Sequence, residues 1–357
     1  MAGLFDRYEL RDLHLPNRIV MAPMTRVRAA EGGLPTASMA VYYAQRATAG
    51  LIVSEGIQPS LVGQANPGTP GLHADKQVTA WRQVTDAVHV NGGRIFGQLM
   101  HGGRVGHPDT TGHQPVGPSA VPAEGKVFTP AGLQDPPFPR ALETAEVPEH
   151  AQSYAQAGAR AVEAGFDGVE LHGANGYLIH QFLSSSANRR SDRYGGSTTN
   201  RIRFAVEAIE ATVAAIGAGR TGIRLSPGAE FWGSRESAVL ELYTALLTEL
   251  ARYDLAYIHL EATAEEELLV ALRRQWAGSL IVNPVLPMGP VKTDRTTADH
   301  WLGLGADLVS FGRSFIANPD LVERLRSGLP IAQDDQDTWY QGGDADYITY
   351  PTYAHTA

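Results

Sequence analysis

The chain has 357 residues, with 29 Lys+Arg against 38 Asp+Glu and a net charge of −9. At 43% apolar and 19% charged residues it can bury a sizeable core, which excludes global disorder, and its acidic balance offers no basic face to nucleic acid or an anionic membrane. It contains no cysteine, so disulfides, thiolate nucleophiles, Cys-ligated zinc and iron–sulfur clusters are excluded together.

Dividing the length by about 150 residues suggests two domains, but an α/β barrel runs to this length as one, and a single domain over 1–357 is expected. The start, MAGLFDRYELRDLHL, lacks the apolar core of a signal peptide, and no apolar stretch approaches the roughly 18 residues of a membrane span. A soluble, cytoplasmic protein is expected. Lysine occurs only at Lys76, Lys126 and Lys292, and none directly follows an apolar run. Schiff-base and pyridoxal-phosphate chemistry need a lysine at the reacting centre, so both are disfavoured.

Residues 8–19 read as a small hairpin capping a barrel bottom, with a turn at Pro16-Asn17. Eight short apolar runs follow, over 18–22, 50–54, 94–99, 167–171, 221–225, 256–260, 279–283 and 307–311. Their near-continuous hydrophobicity suits parallel strands covered on both faces. Helical periodicity lies between them. Residues 147–164 end at Gly165, a C-terminal stop. Residues 201–216 carry Ile202, Ala205, Ile209, Val213 and Ile216, with Ser197, Thr198 and Thr199 as caps. Residues 320–326 follow Asn318-Pro319, read as a cap and first-turn proline, and stop at Gly328. The alternation predicts a (β/α)8 TIM barrel, in the α/β class. An open doubly wound sheet is the alternative, but no G-x-G-x-x-G follows any strand. Residues 102–146, rich in Gly and Pro, begin just after the third strand and read as an excursion that covers the active site.

The C-terminal ends of barrel strands build active sites. Here they carry Pro23-Met24-Thr25, Glu55-Gly56, Gln98, His172, Arg224, Glu261, Asn283 and Gly312-Arg313. No carboxylate pair suits glycoside hydrolysis, and no His/Asp/Glu cluster or H-x-H suits a metal, so no metal is expected. Donors without a metal or a lysine point to an organic cofactor. Gly312 and Arg313, after the eighth strand, suit a phosphate, which barrels hold with the loops after strands 7 and 8. His172 and Asn175, three apart, can aim two donors at one oxygen. Arg224 is either a charge toward the cofactor or a buried ion pair with Glu170 or Glu261.

The run HGANGYLIHQFLSSSANRRSDRYGGSTTNR, from His172 to Arg201, resembles the old yellow enzyme family of flavin-dependent ene-reductases. So do APMTR (22–26), SEG (54–56), GQLMHGGR (97–104), IRLSP (223–227) and FGRSFIANPDL (311–321), in family order over nearly the whole chain. The resemblance implies FMN, NADPH or NADH as hydride donor, and a small electron-poor alkene as substrate; the acidic surface and the 102–146 excursion permit either a monomer or a homodimer. A reductase of nitro compounds or nitrate esters is the alternative within redox chemistry; a flavin-free barrel isomerase or lyase is the alternative outside it.

By that resemblance His172 and Asn175 hold the substrate's carbonyl or nitro oxygen, and Tyr177 gives a proton to the α-carbon. Thr25, Gln98 and Arg224 bind the isoalloxazine, with Arg224 near N1, while Pro23 and Met24 contact the ring. Gly56 leaves room for close ring approach, and Gly312 and Arg313 hold the FMN phosphate. Two departures stand out. Residues 283–292 form a longer, Pro-rich loop where members have a short Gly turn, with Gly289 or the backbone of Val285 and Leu286 as substitutes. Met100 stands where several members carry Trp, which predicts a roomier pocket. Trp339-Tyr340 resembles an aromatic pair that closes the pocket.

Overall fold

A computed structural model describes residues 3–285 and 292–353. The eight runs form a closed barrel of parallel strands. We name them β1 (Ile19–Met21), β2 (Leu51–Ile57), β3 (Ile95–Leu99), β4 (Gly168–Gly173), β5 (Thr221–Leu225), β6 (Tyr257–Ala262), β7 (Leu280–Pro284) and β8 (Leu308–Phe311). Each strand pairs with the next, and β8 closes on β1.

Four strands run further than their apolar residues indicate: β2 extends through Glu55 and Gly56 to Ile57, and β7 by one residue to Pro284. β4 extends through His172 to Gly173, and β6 extends through Glu261 to Ala262. Polar residues at their ends keep ladder pairing, His172 with Arg224 and Glu261 with Asn283. His172 and Glu261 are therefore held by the sheet itself, whereas Thr25, Asn175, Tyr177 and Arg313 lie on the segments just beyond it.

The helices pack outside. Val147–Glu163 is followed by Gly165 at φ +90°, where a side chain would be strained. Thr198–Ile216 starts one turn earlier than its apolar spacing shows, because Ser197 accepts from the Asn200 N–H at 3.3 Å. Leu321–Ser327 has Asp320 as its N-cap. Asn318 does not cap it; its side chain instead bonds the backbone of Ser314 and Ala332.

The N-terminal hairpin pairs Tyr8–Leu10 with Leu13–Leu15, so its turn lies at Arg11-Asp12 and not at Pro16-Asn17. Leu10 and Leu15 join Val20, Leu51, Phe96 and Ile281 in a cluster that plugs the barrel bottom. Each such buried side chain contributes roughly 1.5–3 kcal/mol. Asn17 ties the starts of β1 and β2 together. Its side chain accepts from the Ile19 and Gly50 N–H groups and donates to Thr48 O, all within 3.1 Å. With the bottom sealed, the open mouth lies at the strand C-termini.

Residues 102–146 are not without structure. They hold a short hairpin, Val127–Thr129 with Gly132–Gln134, and a bridge of Val116–Gly117 to Arg140–Ala141. Arg104, 1% exposed, ties this excursion down. It donates to Val121 O, Pro122 O, Trp232 O and Ser234 Oγ at 2.9–3.3 Å, joining the excursion to the loop after β5.

Candidate active site

A cavity of about 480 Å³ opens at the barrel mouth. It brings together Pro23, Met24 and Thr25 after β1, Gln98 on β3, His172, Asn175 and Tyr177 around the end of β4, and Arg224 on β5. Gly312 and Arg313 enter from the end of β8, across the barrel from β4. Gly56 is not in its wall. A Cβ there would lie 2.7 Å from Met100 Sδ, so Met100, which does line the cavity, fills the space that Gly56 leaves. Of residues 283–292, Asn283 lines the cavity from within β7, whereas Leu286 and Gly289 lie outside the described residues.

A polar layer crosses the barrel beneath the cavity. Gln98 Nε2 donates to Glu170 Oε1 at 2.8 Å, and Glu170 Oε2 lies 2.8 Å from His259 Nδ1. Burial alone would raise the Glu170 carboxyl, but His259, Arg224 and Gln98 outweigh it and hold it below the usual range. Burial and then Arg224 keep His259 below its ordinary pKa, hence neutral at pH 7. Its Nδ1–H then donates to Glu170, and its Nε2 accepts from Arg224 Nη1 at 2.7 Å and from the Ser310 hydroxyl at 2.8 Å. Arg224 Nη2 donates to Glu261 Oε2 at 3.1 Å and to Asn283 Oδ1 at 2.6 Å. Arg224 pairs with Glu261 and also lines the cavity. It meets Glu170 only through His259.

His172 is 5% exposed, and burial followed by Arg224 pushes its pKa well below the ordinary value. The imidazole is neutral. The Ala174 N–H points at Nδ1 from 3.3 Å, so Nδ1 accepts and the single proton sits on Nε2 as a donor. Asn175 has a left-handed backbone, φ +54°, fixed by its N–H to Ser226 Oγ at 3.0 Å. Its Nδ2 donates one hydrogen to Glu261 Oε2 at 2.8 Å and keeps the second. The Tyr177 ring packs edge-on to His172, with centroids 4.9 Å apart. Enclosure in the cavity wall, with Tyr340 and Glu261 near, pushes the phenol up to about 12. It is protonated at neutral pH.

The far wall comes from segments without periodicity. Trp232, from the loop after β5, and Phe128, from the excursion hairpin, both line the cavity. Trp232 and Tyr177 pack on Val105, Ala123 and Val127 of the excursion. Trp339 and Tyr340 complete the rim. Arg26 donates to Trp339 O at 3.0 Å and to Asp346 O at 3.2 Å, while Arg28 donates to Thr338 O, Trp339 O and Gly343 O within 3.1 Å. Lys292 pairs with Asp334 and donates to Ala332 O. Asn66, Phe128 and Trp232 line the cavity although no motif or period in the sequence marks them. The inward facing of Glu170, His259 and Glu261 was readable from the two-residue alternation of β4 and β6.

The profile of the NADH:flavin oxidoreductase / NADH oxidase family matches residues 3–332. The chain belongs to this family. Among curated relatives, 12-oxophytodienoate reductase 1 of Oryza sativa subsp. japonica is 39% identical over 362 residues, covering 98% of this chain and 92% of the relative. The old yellow enzyme homologue of Zymomonas mobilis superposes with a TM-score of 0.93 at 39% identity, over 98% of this chain and 99% of the other. Morphinone reductase in complex with tetrahydroNAD superposes with a TM-score of 0.93 at 42% identity, over 99% and 98%. The chain is thus an oxidoreductase of the old yellow enzyme type with a TIM-barrel fold, and its family is flavin-dependent. No described helix is long and apolar enough to cross a membrane.

Proposed function

We propose that the protein is an FMN-dependent ene-reductase that takes hydride from NADPH or NADH and delivers it to an alkene conjugated to a carbonyl or nitro group. The observation that carries this reading is one cavity wall holding a neutral His172 with Nε2–H outward, the Asn175 amide with a spare N–H, and a protonated Tyr177.

The cavity fits a flavin. Its wall offers the Gln98 amide, able to donate and accept as a uracil-like edge requires, together with the Arg224 guanidinium and the Thr25 hydroxyl. At the end of β8 it offers Gly312 and Arg313, at the start of the short helix Arg313–Ile316, for a phosphate. Pro23 and Met24 would flank the ring. FMN, when bound, supplies reversible hydride storage that no side chain provides.

The chain's own residues do the rest. His172 and Asn175 donate to the substrate oxygen, which draws charge from the double bond and stabilises the enolate or nitronate formed as the β-carbon is reduced. Tyr177 supplies the proton to the α-carbon and recovers one from solvent. The aromatic rim of Phe128, Trp232, Trp339 and Tyr340 excludes water from the forming carbanion. The ketone named in morphinone reductase and the oxo group named in 12-oxophytodienoate reductase support a carbonyl-conjugated substrate. With one cavity for both partners, nicotinamide and alkene take turns in it.

The visible spectrum of the purified protein tests this. A flavin spectrum that bleaches on anaerobic NADPH and returns on adding cyclohexenone is the expected result. Reoxidation by a nitro compound or nitrate ester and not by enone would replace the alkene with those substrates. A colourless protein that fails to take up FMN would refute the cofactor.

A further inference from the structure

Among the described residues, Glu261 is the carboxylate that hydrogen-bonds both Asn175 and Arg224. Its Oε2 accepts from Asn175 Nδ2 at 2.8 Å and from Arg224 Nη2 at 3.1 Å, and the residue is 7% exposed. It faces inward from β6 in alternation with His259. A charge this far from water is tolerated because it is paired and hydrogen-bonded.

We infer that Glu261 is a positioning residue, which selects the orientation of the Asn175 amide and offsets the Arg224 charge that the cofactor meets. The inference rests on the proposed roles of Asn175 and Arg224. An ionised carboxylate only accepts hydrogen bonds, so it rejects the Asn175 carbonyl oxygen and holds the NH₂ toward itself. The Asn175 backbone is already fixed by Ser226 and by its left-handed conformation. The side-chain amide is the freedom that remains, and Glu261 removes it. The second N–H is then presented as a donor beside His172 rather than as an acceptor, which would repel a carbonyl oxygen.

The electrostatic half follows from the same atom. Arg224 favours whatever negative charge its partner gains on reduction. Glu261 cancels part of that field, since His259 and His172 are neutral and add none. Removing the Glu261 charge makes the reduced cofactor more stable.

The test uses the flavin-loaded protein and the variants Glu261→Gln, Glu261→Ala and Glu261→Asp, with Asn175→Ala alone and combined with Glu261→Gln. Arg224 keeps His259 and Asn283 in each, which supports folding. The flavin midpoint potential is read by titration against a reference dye. The affinity of neutral cyclohexenone for the oxidised protein is read from the flavin absorbance. Gln and Ala are expected to shift the two-electron reduction equilibrium about tenfold toward the reduced form, about 30 mV, and Asp is expected to restore the original potential. Gln and Ala are also expected to weaken cyclohexenone binding about tenfold, with no further loss when Glu261→Gln is added to Asn175→Ala. Unchanged potentials in Gln and Ala, or enone losses that add to those of Asn175→Ala, overturn the inference alone. An Asn175→Ala variant that binds cyclohexenone like the original overturns it together with the proposed role of Asn175.

Discussion

Replacing Tyr177 by Phe isolates the proposed proton transfer. Phe keeps the ring that packs against His172 at 4.9 Å and the contacts with the excursion cluster, so the wall keeps its shape. Only the hydroxyl is lost. With the phenol pushed up to about 12, roughly one molecule in 10⁵ is ionised at pH 7, so the donor is loaded throughout the physiological range. A positioned general acid contributes about 10²–10⁴-fold. Stopped-flow oxidation of the reduced protein by cyclohexenone should slow by that factor. Reduction by NADPH needs no proton from this residue and should stay within about twofold. The rate of the enone step in the unmodified protein should also be flat from pH 6 to 9, because His172 is neutral there and Tyr177 protonated. Full enone turnover in Tyr177→Phe, an equal loss in both half-reactions, or a fall in rate centred near pH 8 would refute the reasoning.

The packing and the charges of the same region give further tests. Gly56→Ala places a Cβ 2.7 Å from Met100 Sδ and drives that side chain toward the cavity; the KM for enones should rise several-fold, and adding Met100→Ala should restore it. An unchanged KM in the single variant would mean that Met100 yields elsewhere. Burial raises the Glu55 carboxyl to about 7, above its unfolded value, so the folded state holds this proton more tightly, and a stability penalty grows as pH rises from 4.5 through 7. Glu55→Gln should therefore raise the melting temperature at pH 8, by a gain on the order of 3 kcal/mol, and leave it nearly unchanged near pH 4.5; a lower melting temperature at pH 8 would contradict the assigned sign. Arg104→Met leaves the carbonyls of Val121 and Pro122 without their Arg104 donor, while Trp232 O keeps the Glu124 N–H, at a cost of about 1–3 kcal/mol. Trypsin should then cut at Lys126 faster, with a raised KM for bulky enones; unaltered cleavage would mean the excursion is held by its other contacts, among them Glu124 with Arg235 and with Trp232 O.

Much of this protein was legible without coordinates, for physical reasons that can be named. A buried parallel strand needs a short apolar run, so all eight barrel strands showed themselves, and the rule that strand C-termini carry the chemistry picked out Gln98, His172 and Arg224 before any packing was known. The spacing of His172, Asn175 and Tyr177 is local, and local geometry carries them to one wall. What closure of the barrel decided is which strand ends meet. Asn175 and Glu261 are 86 residues apart, and Arg104 and Trp232 are 128 apart; no pattern in the chain links either pair. Gly56 reads alone as space for a ligand, yet Met100 on the neighbouring strand's end takes that space. The excursion has only short ladders of its own, and it and the C-terminal segment are tied to the barrel largely through side chains such as Arg104, Arg26 and Arg28, which leaves little periodicity to read. Composition and period determine which residues are buried and on which face; the charge network around Arg224, and with it the protonation states that the chemistry needs, exists only once the barrel has brought β3 to β8 around one axis.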